Sequence, residues 1–173
     1  MTATSLTSFV VRPAGPSEYE TLGALTVAAY QGIAAMPQSD DYDNQLRDVA
    51  GRAAVSCVLA AVALGGEILG GVTYVSGPED PYSEQLHDDE AGIRMLAVAA
   101  AARRQGIGRA LTLECLRRAR VAGKRRVVLH TGPWMPNAIR MYESIGFVRE
   151  PSMDFTPVPG IHLLAFAFDL RVG

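Results

Sequence analysis

Residues 92–122 read GIRMLAVAAAARRQGIGRALTLECLRRARVA. The opening, Ile93 to Val98, is apolar enough for a buried strand. Ala99 to Gln105 is small and basic, and Gly106-Ile107-Gly108 then opens a long helix. Ile107, Leu111, Cys115, Ala119 and Ala122 recur at helical spacing along it, while Arg109, Arg117 and Arg120 fall away from that stripe. Glycine lets backbone approach a ligand with no β-carbon between. The first helical turn has N–H groups without internal partners. Together with the positive end of the helix dipole, they suit a phosphate. Arg103, Arg104 and Arg109 would add charge-assisted contacts. A paired glycine at a helix start is weak evidence alone, since neither a Walker loop nor a full dinucleotide fingerprint is present. The order strand, basic turn, paired glycine, helix is what makes it an anion cradle.

Composition sets the frame. A chain of 173 residues, 49% apolar and 20% charged, reads as one globular domain spanning 1–173, with residues 1–8 expected to fray. The net charge of -2 argues against general nucleic-acid binding. Ten of the sixteen Lys and Arg residues nevertheless lie between Arg94 and Arg126, whereas six acids crowd Glu79 to Glu90. One region is built for an anion; acidic segments either face a cation or are simply solvated. The two cysteines, Cys57 and Cys115, sit in apolar patterns and read as reduced core thiols. No basic segment followed by an apolar core opens the chain, and the longest apolar run, Ala53 to Leu64, is too short for a bilayer. A cytoplasmic protein without membrane or nucleic-acid partners is expected.

The flanks give a strand at Phe9 to Arg12 and a helix from Ser17, with Glu20 completing a capping box, to about Tyr30. A second helix is predicted from Asp40 or Asp41 to about Ala53. Val55 to Leu64 and Glu67 to Ser76 flank Gly65-Gly66 and read as a hairpin. Gly77 to Ala91 is an acidic loop. Beyond the central helix come a strand at Arg126 to His130, a short helix at Asn137 to Ile145, and strands from Phe147 and from Ile161 to Leu170. The segment 151–160, with Pro151, Pro157 and Pro159, reads as a stiff loop. The fold class is α/β with a mixed sheet.

Two motifs carry a family resemblance. Arg103-Arg104-Gln105-Gly106-Ile107-Gly108 resembles the Arg/Gln-x-x-Gly-x-Gly/Ala loop that holds the acetyl-CoA pyrophosphate in GNAT N-acetyltransferases. Asn137 to Phe147, with Tyr142 and Gly146-Phe147, resembles that superfamily's second conserved segment. The resemblance covers about residues 90–150. It implies the GNAT acyl-CoA N-acyltransferase fold: a central, splayed, mostly antiparallel sheet flanked by helices, with the first two helices roofing the acceptor site. It also implies acetyl-CoA as co-substrate and no metal. The acceptor would be a small-molecule or peptide amine, and a homodimer is a fair expectation.

By that resemblance Leu96, Ala97 and Val98 would supply backbone to the pantetheine arm and an oxyanion donor, alongside Arg103, Arg104, Gln105, Gly106, Ile107, Gly108 and Arg109 at the phosphates. Asn137 would contact the pantetheine arm, or else cap its helix. Tyr142 would stand near the sulfur as general acid, or else be a buried structural tyrosine. The base is less determined. The family's frequent glutamate on the central strand is Gly92 here. Glu90, two residues earlier on the same side of a strand, is one candidate, against a solvated acid; His130, ending the next strand, is the other. Trp134 and Met135 either line the acceptor pocket or cover the core. The function implied is acetyl transfer from acetyl-CoA to a primary amine by direct attack. A non-catalytic acyl-CoA sensor and a protein N-terminal or lysine acetyltransferase are the alternatives.

Overall fold

The structure, a computed structural model, describes residues 7–172. Its strands are β1 (Phe9–Pro13), β2 (Cys57–Ala63), β3 (Ile68–Val75), β4 (Glu90–Val98), β5 (Arg126–Thr131), β6 (Val148–Arg149), β7 (Phe155–Val158) and β8 (Ile161–Asp169). They form a sheet of order β1-β2-β3-β4-β5-β8-β6, with β7 paired to β8 outside that path. Among the described residues only β4 and β5 run parallel; the other pairs are antiparallel. The helices are α1 (Tyr19–Gln31), α2 (Asp40–Arg47), α3 (Val49–Val55), α4 (Ile107–Val121) and α5 (Pro136–Ile145).

Both faces of the sheet are covered, which is why its strands read as continuous apolar runs rather than alternating ones. Along β2, Leu59 and Ala61 join the cluster built on Ile107, Leu111, Cys115 and Leu116 of α4. Val58, Ala60 and Val62 point the other way, to Leu22 of α1 and Val49 of α3. The buried stripe of α4 runs from Ile107 to Ala119, and Ala122 is already exposed beyond it.

Several boundaries depart from the sequence reading for local reasons. Ser17 does not cap α1. A 3-10 turn at Pro16–Glu18 precedes the helix, and the Glu18 carboxylate accepts from the Gly15 N–H at 2.7 Å while Arg12 holds it from outside. The predicted second helix is two helices. Ser39, not Asp40 or Asp41, caps the first; Asp48 breaks the chain and caps the second through the Gly51 N–H at 2.9 Å. Buried Arg52 ties the pieces together by donating to the Leu46 carbonyl at 3.0 Å. The segment 151–160 is not a plain loop: it holds a 3-10 turn at Pro151–Met153 and strand β7, which pairs with β8. Residues 1–6 of the segment expected to fray lie outside the described residues. Thr7 and Ser8 are bonded, the Thr7 N–H donating to Gln105 and the Ser8 carbonyl accepting from Leu64.

Two features of β4 open the sheet. Its pairing with β5 ends at Ile93↔Leu129, although the strand continues to Val98. It also carries an irregularity against β3 between Gly71↔Ala97 and Thr73↔Arg94, where Met95 has a φ of 54°. An extra residue in one strand bends it and re-aims side chains. The two central strands therefore part, and a wedge opens between them.

Candidate active site

The wedge holds a cavity of about 110 Å³. Arg94, Met95 and Leu96 of β4 form one wall; His130 and Thr131 of β5, with Trp134 and Met135 of the following turn, form the other. Tyr30 of α1, Met36 of the α1–α2 link and Tyr42 of α2 close it above, with the two tyrosine rings packed edge to face at 5.9 Å. Ala138 and Tyr142 of α5 bound the opposite end. Parts of α1, α2 and their link thus line the cavity. Trp134 and Met135 are cavity wall rather than core cover alone.

Tyr142 is buried, packed edge to face on Phe147 with ring centres 5.6 Å apart. Burial pushes its phenol well above the ordinary value of 10, so the hydroxyl stays protonated throughout the neutral range. Burial acts the same way on Tyr30 and Tyr42.

His130 is almost fully enclosed, its side chain 2% exposed and its ring edge-on to Phe155 at 4.7 Å. Its Nε2 is 2.8 Å from the Met153 carbonyl. A carbonyl only accepts, so Nε2 carries the proton there. The remaining nitrogen, Nδ1, faces Glu84 Oε2 at 3.7 Å.

The structure does not bring Glu90 to this place. It starts β4, at the end where the two strands are still paired, and is fully buried. Its carboxylate accepts from Arg126 Nε at 2.6 Å, Arg125 Nη2 at 3.2 Å and the His87 N–H at 2.9 Å. Those bonds hold β4, β5 and the acidic loop together, so the strand-face argument for Glu90 as base is corrected by this geometry.

Residues 103–109, expected to hold the phosphates, lie at the start of α4. Gly106 has φ 79°, a left-handed conformation that side chains resist, and open space surrounds the point where its β-carbon would stand. Arg104, at φ 63°, shares that handedness. A left-handed residue leading into a right-handed helix turns successive N–H groups to one side, an anion-binding concavity. Arg103, Arg104 and Arg109 are exposed around it. Gly108 serves differently: a β-carbon there would meet Met141 Sδ at 3.2 Å, and Leu96 and Val98 just beyond, so its absence lets α4, α5 and β4 close up. Asn137 does not cap α5; Met135 takes that position and the Asn137 side chain accepts from Arg140.

Two charged cavity residues escaped the sequence reading. Glu84, in the acidic loop, lines the cavity, and its Oε1 lies 2.8 Å from Arg94 Nη2. Arg94 also stacks over the Tyr82 ring at 5.8 Å. Neither belongs to a motif. The only signal was an arginine inside an otherwise apolar strand, which a buried environment must pair.

Residues 21–147 match the family described as Acetyltransferase (GNAT) family, and the chain belongs to it. No curated protein matches the sequence. Among solved structures, a GNAT-family acetyltransferase from Staphylococcus aureus Mu50 is similar at a TM-score of 0.73 and 14% identity, covering 94% of this chain and 99% of that one. YncA of Salmonella typhimurium, solved with its cofactor acetyl-CoA, is similar at a TM-score of 0.67 and 20% identity, covering 94% of each chain. A ribosomal-protein-alanine N-acetyltransferase from Brucella melitensis is similar at 0.65 and 22% identity, covering 92% and 99%. At these identities the likeness speaks for the fold. No helix among the described residues is long and apolar enough to cross a membrane.

Proposed function

We propose that this acetyltransferase moves the acetyl group of acetyl-CoA to a primary amine bound in the wedge cavity. One observation carries the reading. The cradle at 103–108 and the cavity holding Tyr142 are joined by β4, whose β5-facing edge is unpaired beyond Ile93 while its other edge stays bonded to β3. Backbone N–H and C=O groups on an open strand edge pair readily with an extended chain. Leu96 to Val98 would hold the pantetheine arm in that way, and their N–H groups would serve an oxyanion.

The residues fit the co-substrate. The backbone cradle at Gly106 is open, and Arg103, Arg104 and Arg109 stand around it for the phosphates. Acetyl-CoA supplies an activated acyl carbon and a thiolate leaving group. Tyr142, kept protonated by burial, would give the sulfur its proton. The apolar and aromatic walls, Met36, Trp134 and Leu163 among them, suit an acceptor with a compact apolar body.

Calorimetric titration of acetyl-CoA into the wild type and an Arg103→Ala/Arg104→Ala variant tests this. Micromolar wild-type binding, about -8 kcal/mol, weakened in the variant, is expected. S-acetylpantetheine, which lacks the nucleotide phosphates, should bind both proteins alike. Absence of acetyl-CoA binding to the wild type would contradict the reading.

A further inference from the structure

We infer that Glu84, carried by the acidic loop 77–89 rather than by a strand, is the residue that receives the acceptor's ammonium group and takes its proton, with His130 behind it as the positioning partner. The inference rests on the proposed acetyl transfer and deepens it.

Elimination inside the cavity leads to Glu84. The titratable and charged side chains there are Tyr30, Tyr42, Glu84, Arg94, His130 and Tyr142. The three tyrosines are held protonated by burial. Arginine does not give up its proton. His130 spends Nε2–H on Met153, and its one proton-accepting nitrogen points at Glu84, not into open space. Glu84 is left, with its side chain 19% exposed at the cavity wall.

Local packing explains how Glu84 comes to be there. Gly92 has no β-carbon, and Leu86 packs over the gap: a β-carbon would lie 3.2 Å from Leu86 Cδ1. That seat fixes the loop two residues after Glu84. A water-sized hollow of about 10 Å³, shared by Glu84, Leu86, Gly92, Arg94 and His130, separates the loop from the strand. The strand gives up its own side chain at position 92, and the space is used to bring a carboxylate from the loop.

Charge points the same way. Glu84 faces Arg94 from β4, His130 from β5, Tyr30 from α1 and Tyr42 from α2. The guanidinium engages one carboxylate oxygen, Oε1, and the aromatic roof offers faces to a cation.

The step balances. The acceptor ammonium gives one proton to Glu84, whose partly exposed carboxyl then releases it to solvent. The freed lone pair forms the C–N bond at the acetyl carbon as the C–S bond breaks. The sulfur leaves with the electron pair and takes the Tyr142 hydroxyl proton; a second nitrogen proton restores Tyr142 through water. Ammonium and thioester become amide, thiol and one released proton.

The test compares wild type, Glu84→Gln and Glu84→Asp, with n-butylamine, phenethylamine and spermidine as acceptors and acetyl-CoA affinity measured alongside. Glu84→Gln should lower kcat/KM at least about 100-fold. It should replace the wild-type acid limb with a rise in rate with pH that follows only the free-amine fraction, and leave acetyl-CoA affinity within about twofold. Glu84→Asp should recover part of the rate and the acid limb. Active wild type with an unchanged rate and pH profile in Glu84→Gln would overturn this inference alone. Wild type inactive on all three amines despite binding acetyl-CoA would overturn the amine-acceptor reading and this inference with it.

Discussion

Leu86 occupies the place that a side chain at Gly92 would fill, its Cδ1 3.2 Å from the missing β-carbon. The contact links a loop to the strand that borders the cavity. Its consequence is larger for activity than for stability. Leu86 Cδ1 is the end of a flexible side chain and can shift by a few tenths of an ångström. Gly92→Ala should therefore cost only about 1 kcal/mol in denaturant unfolding. It should lower kcat/KM about tenfold by displacing Glu84. A large stability loss with normal activity would show that the loop position does not matter to the reaction.

Glu90 is expected to behave in the opposite way. Glu90→Gln leaves Arg125 and Arg126 without their buried partner. Breaking such a pair inside a protein costs about 3–5 kcal/mol. The two arginine side chains are 30% and 16% exposed, so about 2 kcal/mol is expected here. The pH–rate profile should keep its shape. A lost acid limb in Glu90→Gln would return the base to β4.

Tyr142→Phe separates chemistry from packing. No protein group hydrogen-bonds the Tyr142 hydroxyl among the described residues, so unfolding stability near pH 7 should change by less than about 1 kcal/mol. Turnover should fall about 10- to 100-fold with acetyl-CoA affinity retained. The alkaline side gives a second readout. The folded-state value of Tyr142 is raised above 10 by burial, so its contribution is fully present below pH 10 and is lost as pH climbs through the folded value. Wild type should therefore lose stability above pH 10 more steeply than Tyr142→Phe.

Asp154 gives the matching expectation in acid. Arg149 at 2.7 Å and the Ala165 N–H at 2.7 Å hold its carboxylate at about 2, below the ordinary 3.8. The depressed value means stability present above about pH 4 and lost as pH falls toward 2. Asp154→Asn should flatten that part of the stability curve. It should also loosen the β7–β8 hairpin, visible as faster amide exchange at Ala165.

Much of the centre of the fold was legible in the chain. β4, the basic turn, α4, β5 and α5 announce themselves because apolar periodicity and glycine placement are local properties. The split of the second predicted helix was not, because Asp48 continues a helical pattern by composition while its side chain caps the next turn. β7 was hidden by Pro157 and by exposure, since only pairing with β8 makes it a strand. Glu90 was singled out and Glu84 passed over for one reason. Acids in a polar loop look alike in sequence, and what tells them apart is distance to arginines 10 and 36 residues away, Arg94 for Glu84 and Arg126 for Glu90.

The most direct measurement is thiol release from acetyl-CoA in the presence of primary amines, with the product identified by mass. Amine-dependent release well above background hydrolysis is expected, with one acetyl group added to the acceptor nitrogen for each thiol freed. Tight acetyl-CoA binding with no amine-dependent release across small amines and peptides would contradict acetyl transfer and leave a binding domain on an acetyltransferase fold.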